Sequence, residues 1–299
     1  MNYLRNNIFK FLALSSLICL ISELSYSQKI NQIQKVDTVF KEVDSLKGNI
    51  IEMNYHSDFL NENRVVSIYE PVNFNQNFNY GVLFVTDGIL KSIAPKIEYL
   101  IDSNRIDPII IVSINNRSKQ PVDTVFKNKV VDFRALEFFK KPMLLSSTYE
   151  LTKDSLINPI ITDRYNRFSL FISEEVIPDI KSKYPLAQNE KKWSIGGFSN
   201  GGAFVYGFTS EKNHFGNAIV MSPAGFGMDF SYGFSKTEAT YHIAAGLQEE
   251  GFLRESVNYL QEMDDLNITY KHYTYDSGHD WNMWLTFYLT TIEEIYRKE

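Results

Sequence analysis

The residues best suited to chemistry lie in the stretch WSIGGFSNGGAFVYGF, residues 193–208, in which Gly196, Gly197, Gly201 and Gly202 surround Ser199. Its first half is typical of a buried strand and its second half predicts a helix, and Gly197 and Gly201 flank Ser199 in a G-x-S-x-G pattern. Side chains at both flanking positions would clash in a tight turn between these elements. The turn would hold the Ser199 hydroxyl above the sheet as a nucleophile for a carbonyl carbon, with the Asn200 N–H able to bind the oxyanion. The alternative is a glycine-rich junction with an incidental serine, because the pattern alone is weakly specific.

A serine nucleophile requires a base, and the chain contains five histidines. His279 is the candidate, because YDSGHDW predicts a loop between the last strand and the last helix. His56, His242 and His272 fall within predicted strands, where a histidine is more often structural. His214 lies at the entry of a strand and is expected to be a surface or packing residue. The alternative for His279 is a solvated loop residue.

An acid that orients the histidine is expected after a strand end that lies between the serine and the histidine in the chain. The segment AAGLQEEGF offers Glu249 and Glu250, just past a predicted strand that ends near Gly246. Asp276 shares the loop of the histidine, and Asp229 lies in a loop rich in glycine and aromatic residues. The residues alone leave these four candidates open.

The segments that must position these side chains alternate between two patterns. Continuous apolar runs are typical of strands buried on both faces, and apolar residues at helical spacing predict the helices between them. The predicted strands are 49–57, 64–71, 80–88, 107–115, 193–198, 216–223, 240–247 and 268–275, and the predicted helices include 91–104, 164–184, 252–266 and 281–298. We expect Pro178 to kink or break the second of these helices. The alternation predicts one α/β domain with a mostly parallel sheet, to which the first two strands add an antiparallel edge.

Residues 116–162 fit neither pattern. A connection of that length in a compact domain is usually a functional loop or a small insertion, and we expect it to lie near the candidate site. Together with the loop 224–235 it carries rings that could stack on a substrate or could cover the core. These rings are Phe133, Phe138, Phe139, Phe226, Phe230, Tyr232 and Phe234.

The N-terminal residues predict an export signal rather than part of the fold. Two basic residues precede the apolar run 11–21, which is too short to span a bilayer, and the small residues of SYSQ suit cleavage after Ser27. We therefore expect residues 1–27 to be a signal peptide and residues 28–299 to form a single mature domain. The expected location is the bacterial periplasm or the extracellular medium, with an uncleaved anchor as the alternative.

Composition excludes several functional classes. The net charge of −6 provides no basic surface for nucleic acid or anionic lipid, so we expect neither as a partner once the signal is removed. The single cysteine, Cys19, lies in the predicted leader, so the mature chain has no disulfide, thiolate nucleophile or cysteine metal ligand. The chain has no His-Glu-x-x-His run or other metal-ligand spacing, and we expect no cofactor.

From about Tyr80 onward the chain resembles an esterase family of α/β-hydrolases. The family includes esterase D-like proteins, enterochelin esterases, and feruloyl and acetylxylan esterases. The motifs that carry the resemblance are LFVTDG, RFSLFISEEVIPDIKSKYP, IGGFSNGG, AIVMSPA, AAGLQEEGF and GHDWNMW. Together they are specific for the family but not for a substrate. The resemblance implies the α/β-hydrolase fold, with a mostly parallel central sheet of about eight strands flanked by helices.

The resemblance also implies the roles of individual residues. Ser199 would be the nucleophile and His279 the base. Glu249 would be the acid, because the acid of the family usually follows the glycine that ends its strand by three residues. The implied oxyanion donors are the backbone N–H groups of Asn200 and of Gly88 or Ile89.

Contacts with the substrate are less specific in the sequence. Arg134 and Glu137, in FRALEF, resemble an Arg-x-x-Glu element that the family has near its site, where a structural ion pair is as well founded as a substrate contact. The candidate substrate contacts are Arg134, Phe226 and Trp281, and Trp281 and Trp284 are also expected to pack against the histidine loop. The implied function is hydrolysis of a siderophore, carbohydrate or phenolic ester through an acyl-serine. The alternatives are an acyltransferase and a non-catalytic binding protein on the same scaffold.

Overall fold

Nine strands form the central sheet of the part of the chain that the structure describes. The computed structural model describes residues 33–37, 43–116, 119–121, 130–140, 158–224 and 237–298, so the predicted leader lies outside it. The strands of the sheet are β1 (Ile33–Gln34), β2 (Asn49–Ser57), β3 (Glu62–Glu70), β4 (Gly81–Val85), β5 (Ile109–Ile114), β8 (Trp193–Phe198), β9 (Asn217–Met221), β10 (Thr240–Gly246) and β11 (Tyr270–Tyr275). A separate two-stranded hairpin comprises β6 (Lys119–Pro121) and β7 (Val130–Asp132).

The sheet has the order β1-β11-β10-β9-β8-β4-β5-β3-β2. Every neighbouring pair from β1 to β5 is parallel, whereas β3 runs antiparallel to both β5 and β2. The predicted antiparallel edge is therefore confirmed. The ninth strand is β1, a two-residue strand that pairs with β11 and comes from the segment before residue 48.

Helices cover both faces of the sheet. They are α1 (Leu90–Asp102), α2 (Phe133–Phe138), α3 (Asn158–Ile161), α4 (Arg164–Leu170), α5 (Ile177–Lys183), α6 (Asn200–Glu211), α7 (Glu250–Leu266) and α8 (Trp281–Tyr296). Helices α1 and α8 pack on one face, and α4 to α7 pack on the other. Alternate side chains of each central strand enter opposite cores, which is why β4, β5 and β9 are buried at every position. None of the described helices is long and apolar enough to cross a membrane.

The helix across residues 164–183 differs from its prediction. Helices α4 and α5 are joined by a π-helical segment, Phe171–Val176, and the junction residues keep right-handed helical backbone angles. Pro178 therefore does not break the helix. It lies in the first turn of α5, directly after the π-helical segment, whose changed hydrogen-bond pattern accommodates the missing N–H.

A buried ionic network attaches part of the 116–162 region to the sheet. The carboxylate of Glu137, on α2, accepts hydrogen bonds from Arg64 at 2.7 Å and from Arg164 at 2.8 Å, and all three side chains are almost completely buried. Both arginines also contact Glu62. Burial opposes ionisation of Glu62, but Arg164 and Arg64 outweigh it and hold the pKa of its carboxyl below the usual value. Two arginines and two glutamates thus neutralise one another and fix α2 against the start of β3.

Candidate active site

The loops that carry the predicted site residues meet at one edge of the sheet. The carboxyl ends of parallel strands lie at the same edge, and a ligand site is expected there. The loop after β4 begins at Thr86, and Ser199 follows β8 directly. Ser222 follows β9, Glu249 follows β10 and His279 follows β11.

Ser199 occupies a strained turn between β8 and α6. Its backbone has φ 55° and ψ −123°, which an L-residue rarely adopts. An ideal Cβ on Gly197 would lie 2.5 Å from both the Gly201 carbonyl oxygen and Thr86 Oγ1, so a side chain there would displace the helix or the neighbouring loop. The backbone N–H of Ser199 donates to the Met221 carbonyl at 2.9 Å, which ties the turn to β9. These constraints hold the hydroxyl at the edge of the sheet.

Ser199, His279 and Glu249 form one hydrogen-bonded series. His279 Nε2 lies 3.2 Å from Ser199 Oγ, and His279 Nδ1 lies 2.5 Å from Glu249 Oε1. The Glu249 side chain is fully buried, whereas one third of the His279 side chain is exposed. Glu250 is exposed, in the first turn of α7. The structure therefore brings Glu249, and not Glu250, to the histidine.

The second carboxylate oxygen of Glu249 is held by two donors. Ser222 Oγ donates to Glu249 Oε2 at 2.8 Å, and the backbone N–H of Gly246 donates to the same oxygen at 2.6 Å. The indole N–H of Trp284 donates to Ser222 Oγ at 2.9 Å, which leaves the serine proton to point at the carboxylate. Glu249 Oε1 is thereby reserved for His279.

Ser222 was not among the residues singled out from the sequence. It follows the buried run NAIVM at the carboxyl end of β9, and this position is the one signal that could have identified it. Its φ is 42°. Among the described residues, Ser199 and Ser222 are the non-glycine residues other than asparagine and aspartate that have positive φ. Unusual backbone conformation of this kind concentrates at functional sites.

Aromatic rings fix the plane of the His279 imidazole. The ring of Phe252 stacks on it with centroids 4.0 Å apart and an interplanar angle of 21°, and Trp284 meets it edge-on at 4.6 Å. Trp281 packs instead on Phe198, at 5.9 Å. Of the two tryptophans predicted to pack against the histidine loop, Trp284 makes the ring contact with the imidazole itself.

The turn after β4 lies beside the turn that carries Ser199. Asp87 and Gly88 have φ values of 65° and 66°, and Ile89 precedes the first residue of α1. The carboxylate of Asp87 lies against Gly201, because a Cβ on that glycine would overlap Asp87 Oδ2. As the first residue of α6, Asn200 has no acceptor for its N–H within the helix. Asn200 and Gly88, which carry candidate oxyanion donors, are the chain neighbours of Gly201 and Asp87, the two residues that make this contact.

Arg134 and Glu137, the residues of the Arg-x-x-Glu element, contact different partners. Arg134 forms a two-point ion pair with Asp87, through Nε at 2.6 Å and Nη2 at 3.1 Å, while Glu137 joins the buried network with Arg64 and Arg164. About a quarter of the Arg134 side chain is exposed. The guanidinium of Arg134 thus binds Asp87, a residue of the candidate oxyanion loop.

Most of the predicted pocket rings that the structure describes belong to the core. Phe133, Phe138 and Phe139 are buried, although Phe139 packs with Ala203, Ala224 and Phe252 close to the serine and histidine. The others, Phe226, Phe230, Tyr232 and Phe234, lie outside the described residues, as does Asp229. Among the described residues no group of three or more His, Cys, Asp or Glu could hold a metal ion.

The histidines at strand positions are structural in their contacts. His56 lies 2.9 Å from Asn63 Oδ1, on the paired strand β3. His242 and His272 are buried in β10 and β11. Burial lowers the pKa of His242 to about 4, so this residue is neutral at pH 7. His214 packs edge-on against Phe215.

Comparison with known proteins shows that the chain is similar in structure to several solved proteins. No protein-family model matches the chain, and no curated protein sequence matches it. A CE1 ferulic acid esterase from the anaerobic fungus Anaeromyces mucronatus superposes with a TM-score of 0.64 at 15% identity, over 88% of this chain and 97% of that one. The BES protein from Bacillus cereus gives 0.60 at 18% identity, over 85% and 98%.

An enterochelin esterase from Shigella flexneri superposes with a TM-score of 0.63 at 16% identity, over 86% of this chain. The match spans only 60% of the length of that enterochelin esterase. Likenesses at such low identity establish the fold. The chain has the α/β-hydrolase fold that the family resemblance implied, with a nine-stranded central sheet, and several of the structures that share it are esterases of the kind that its motifs resemble.

Proposed function

We propose that the protein is an exported serine esterase that hydrolyses a carboxylic ester through an acyl-serine intermediate. The observation that carries the proposal is the series from Ser199 through His279 to buried Glu249, with separations of 3.2 Å and 2.5 Å. A nucleophile, a base and an orienting acid in this order are the groups that acyl transfer requires. The esterases among the solved structures of the same fold support the same reaction class.

Each residue has a distinct task in the proposed reaction. His279 Nε2 removes the proton of Ser199 Oγ as the oxygen attacks the ester carbonyl. Glu249 keeps the proton of the neutral imidazole on Nδ1 and stabilises the imidazolium that forms. The N–H groups of Asn200 and of Gly88 or Ile89 bind the oxyanion, and loss of one such donor typically costs about 3 kcal/mol in the barrier. His279 then protonates the leaving alcohol and activates the water that releases the acid.

The proposed substrates are siderophore, carbohydrate or phenolic esters. The names of the enterochelin and ferulic acid esterases that share the fold point to these classes. The half-buried ring of Phe252 stacks on the His279 imidazole at the site, which suits a substrate with an aromatic or flat face. Parallel assays with feruloyl, acetyl-sugar and catechol-siderophore esters would rank the three classes.

Hydrolysis of p-nitrophenyl acetate by the purified protein tests the proposal. We expect turnover in the wild type and its loss in Ser199→Ala, with unchanged circular dichroism. Ser182→Ala, at an exposed position on α5, is the matched control and should retain turnover. Wild-type activity in Ser199→Ala would refute the site. A burst of one acyl group per protein without turnover would indicate an acyltransferase, and no reaction would indicate a binding protein.

Export is tested separately. We propose that residues 1–27 are removed and that the protein acts in the periplasm or outside the cell. N-terminal sequencing of the exported protein should begin at Gln28. A chain that keeps residues 1–27 and stays with the membrane fraction would show an uncleaved anchor instead.

A further inference from the structure

The ion pair between Arg134 and Asp87 lies at the junction of the two candidate oxyanion donors. The Asp87 carboxylate accepts from Arg134 Nε and Nη2, from Asn116 Nδ2 at 2.8 Å and from Thr86 Oγ1 at 3.3 Å. Arg134 Nη2 also lies 3.5 Å from the carbonyl oxygen of Phe198, the residue before the nucleophile. One guanidinium thus contacts both the loop after β4 and the end of β8.

The backbone around Asp87 needs this support. Asp87 adopts a left-handed backbone, which costs energy for a residue other than glycine unless surrounding contacts fix it, and Gly88 continues the turn in the same region. The Asp87 side chain is 7% exposed, and four donors to its carboxylate restrain the turn. The N–H groups of Gly88 and Ile89 can meet an oxyanion only if this turn keeps its shape.

The negative charge of Asp87 is a second reason why its ion pair with Arg134 is needed. A carboxylate beside an oxyanion site repels the negative charge that develops in the transition state, and the repulsion is strong where water is excluded. The carboxylate also lies against Gly201, in the first turn of α6, so it is close to both donor loops. The guanidinium cancels its charge at that place.

The buried network around Glu137 explains how Arg134 is presented. Arg134 and Glu137 lie one turn apart on α2, and Glu137 is anchored to Arg64 and Arg164. Arg64 also donates to the carbonyl of Asn115, at the end of β5. Helix α2 is therefore fixed on the sheet, and Arg134 extends from it to Asp87.

We propose that Arg134 is a positioning residue that neutralises Asp87 and holds the oxyanion loop, rather than a substrate ligand. The inference rests on the proposed esterase function. Through Arg134, the 130–140 segment supplies the positive charge that offsets the Asp87 carboxylate beside the oxyanion site during the chemical step. The substitution should therefore affect the transition state more than the bound substrate.

A double-mutant cycle tests this role. The four proteins are the wild type, Arg134→Gln, Asp87→Asn and the double variant, and kcat and KM are measured with p-nitrophenyl acetate. We expect Arg134→Gln to lower kcat about 30-fold, part of the 10²–10³-fold that a lost oxyanion donor costs, with KM changed less than about 3-fold. In the Asp87→Asn protein, which has no charge to cancel, the same substitution should cost less than about 3-fold.

A second measurement separates this role from a general loss of structure. Phenylboronic acid forms a negatively charged tetrahedral adduct on a reactive serine, so its inhibition constant should rise in step with the loss of kcat. Arg134→Lys keeps the charge and should retain an intermediate rate. Arg254→Gln removes the same charge from an exposed position on α7 and should behave as wild type in both measurements.

The outcomes distinguish the two proposals. Ser199-dependent turnover with an equal loss from Arg134→Gln in both backgrounds would overturn the positioning role and make Arg134 a direct contact of the substrate. A loss explained by a lower thermal midpoint, with boronate affinity unchanged in the folded fraction, would also overturn it. A wild-type protein without Ser199-dependent turnover would overturn the proposed function, and this role with it.

Discussion

Replacement of Glu249 by glutamine tests the acid of the proposed triad through the contacts of both its oxygens. Glu249 Oε2 accepts from Ser222 Oγ and from the Gly246 N–H, so a side-chain amide can present only its oxygen there. The NH₂ group of Glu249→Gln must then face His279 Nδ1. That contact requires Nδ1 to be an acceptor, which places the imidazole proton on Nε2 and prevents it from accepting the Ser199 proton.

The magnitude follows from the charge that is lost. The wild-type carboxylate stabilises the imidazolium at a contact of 2.5 Å. With charges about 4 Å apart and an effective dielectric constant of about 20, the attraction is about 4 kcal/mol. At 1.36 kcal/mol for each factor of ten, the substitution should lower kcat about 1000-fold.

The adjacent residue supplies the control. Glu250→Gln makes the same chemical change at an exposed position and should leave kcat within about 2-fold, since exposed charges contribute little. Both variants are assayed with p-nitrophenyl acetate, together with thermal unfolding to confirm the fold. A Glu249→Gln protein that keeps more than a tenth of the wild-type kcat, or a larger loss of kcat in Glu250→Gln, would refute Glu249 as the acid.

Two further substitutions test the surroundings of the site and of the sheet. Ser222→Ala removes a donor to Glu249 and the acceptor of the buried Trp284 N–H. We expect the free energy of unfolding to fall by about 1–3 kcal/mol and kcat/KM to fall roughly 10-fold. Unchanged values for both would show that Ser222 does not link Trp284 to Glu249. Burial lowers the pKa of His242 to about 4, so its contribution to stability is complete above the unfolded pKa near 6.5 and is lost as pH falls toward 4, by about 2 kcal/mol at pH 5. His242→Gln cannot titrate and should unfold with a weaker pH dependence between pH 7.5 and 5 in chemical denaturation. Identical dependence in the two proteins would show that the histidine is not buried in its neutral form.

Local patterns predicted the strands and the long helices well, because a strand buried on both faces requires a continuous apolar run and a packed helix requires apolar residues at helical spacing. Strands β2 and β8 have the predicted bounds, and β8 ends at Phe198, directly before Ser199. The helix through Pro178 was missed in part, since a π-helical segment has no signature in single-residue preferences. The two-residue strand β1 was missed because its own residues carry no strand pattern. It forms by pairing with the edge of β11.

Some residues of the candidate site could be identified from the sequence, and others could not. Ser199 and His279 could be identified because each lies at a junction of elements with an unusual local composition. The acid could not be chosen from the residues alone, since Glu249 and Glu250 are chemically identical neighbours. The start of α7 decides between them by burying the first against His279 and exposing the second.

The sequence by itself determined the order of the eight strands of the central sheet other than β1 and of the long helices, the turn around Ser199 and the position of the histidine loop, because all of these depend on neighbours along the chain. Only the tertiary structure decided which carboxylate meets His279, that Ser222 bridges Trp284 to Glu249, and that Arg134 pairs with Asp87. Each of these contacts joins residues 27 to 62 positions apart in the chain. Their geometry depends on how strands from distant segments align at one edge of the sheet, and no local preference encodes that alignment.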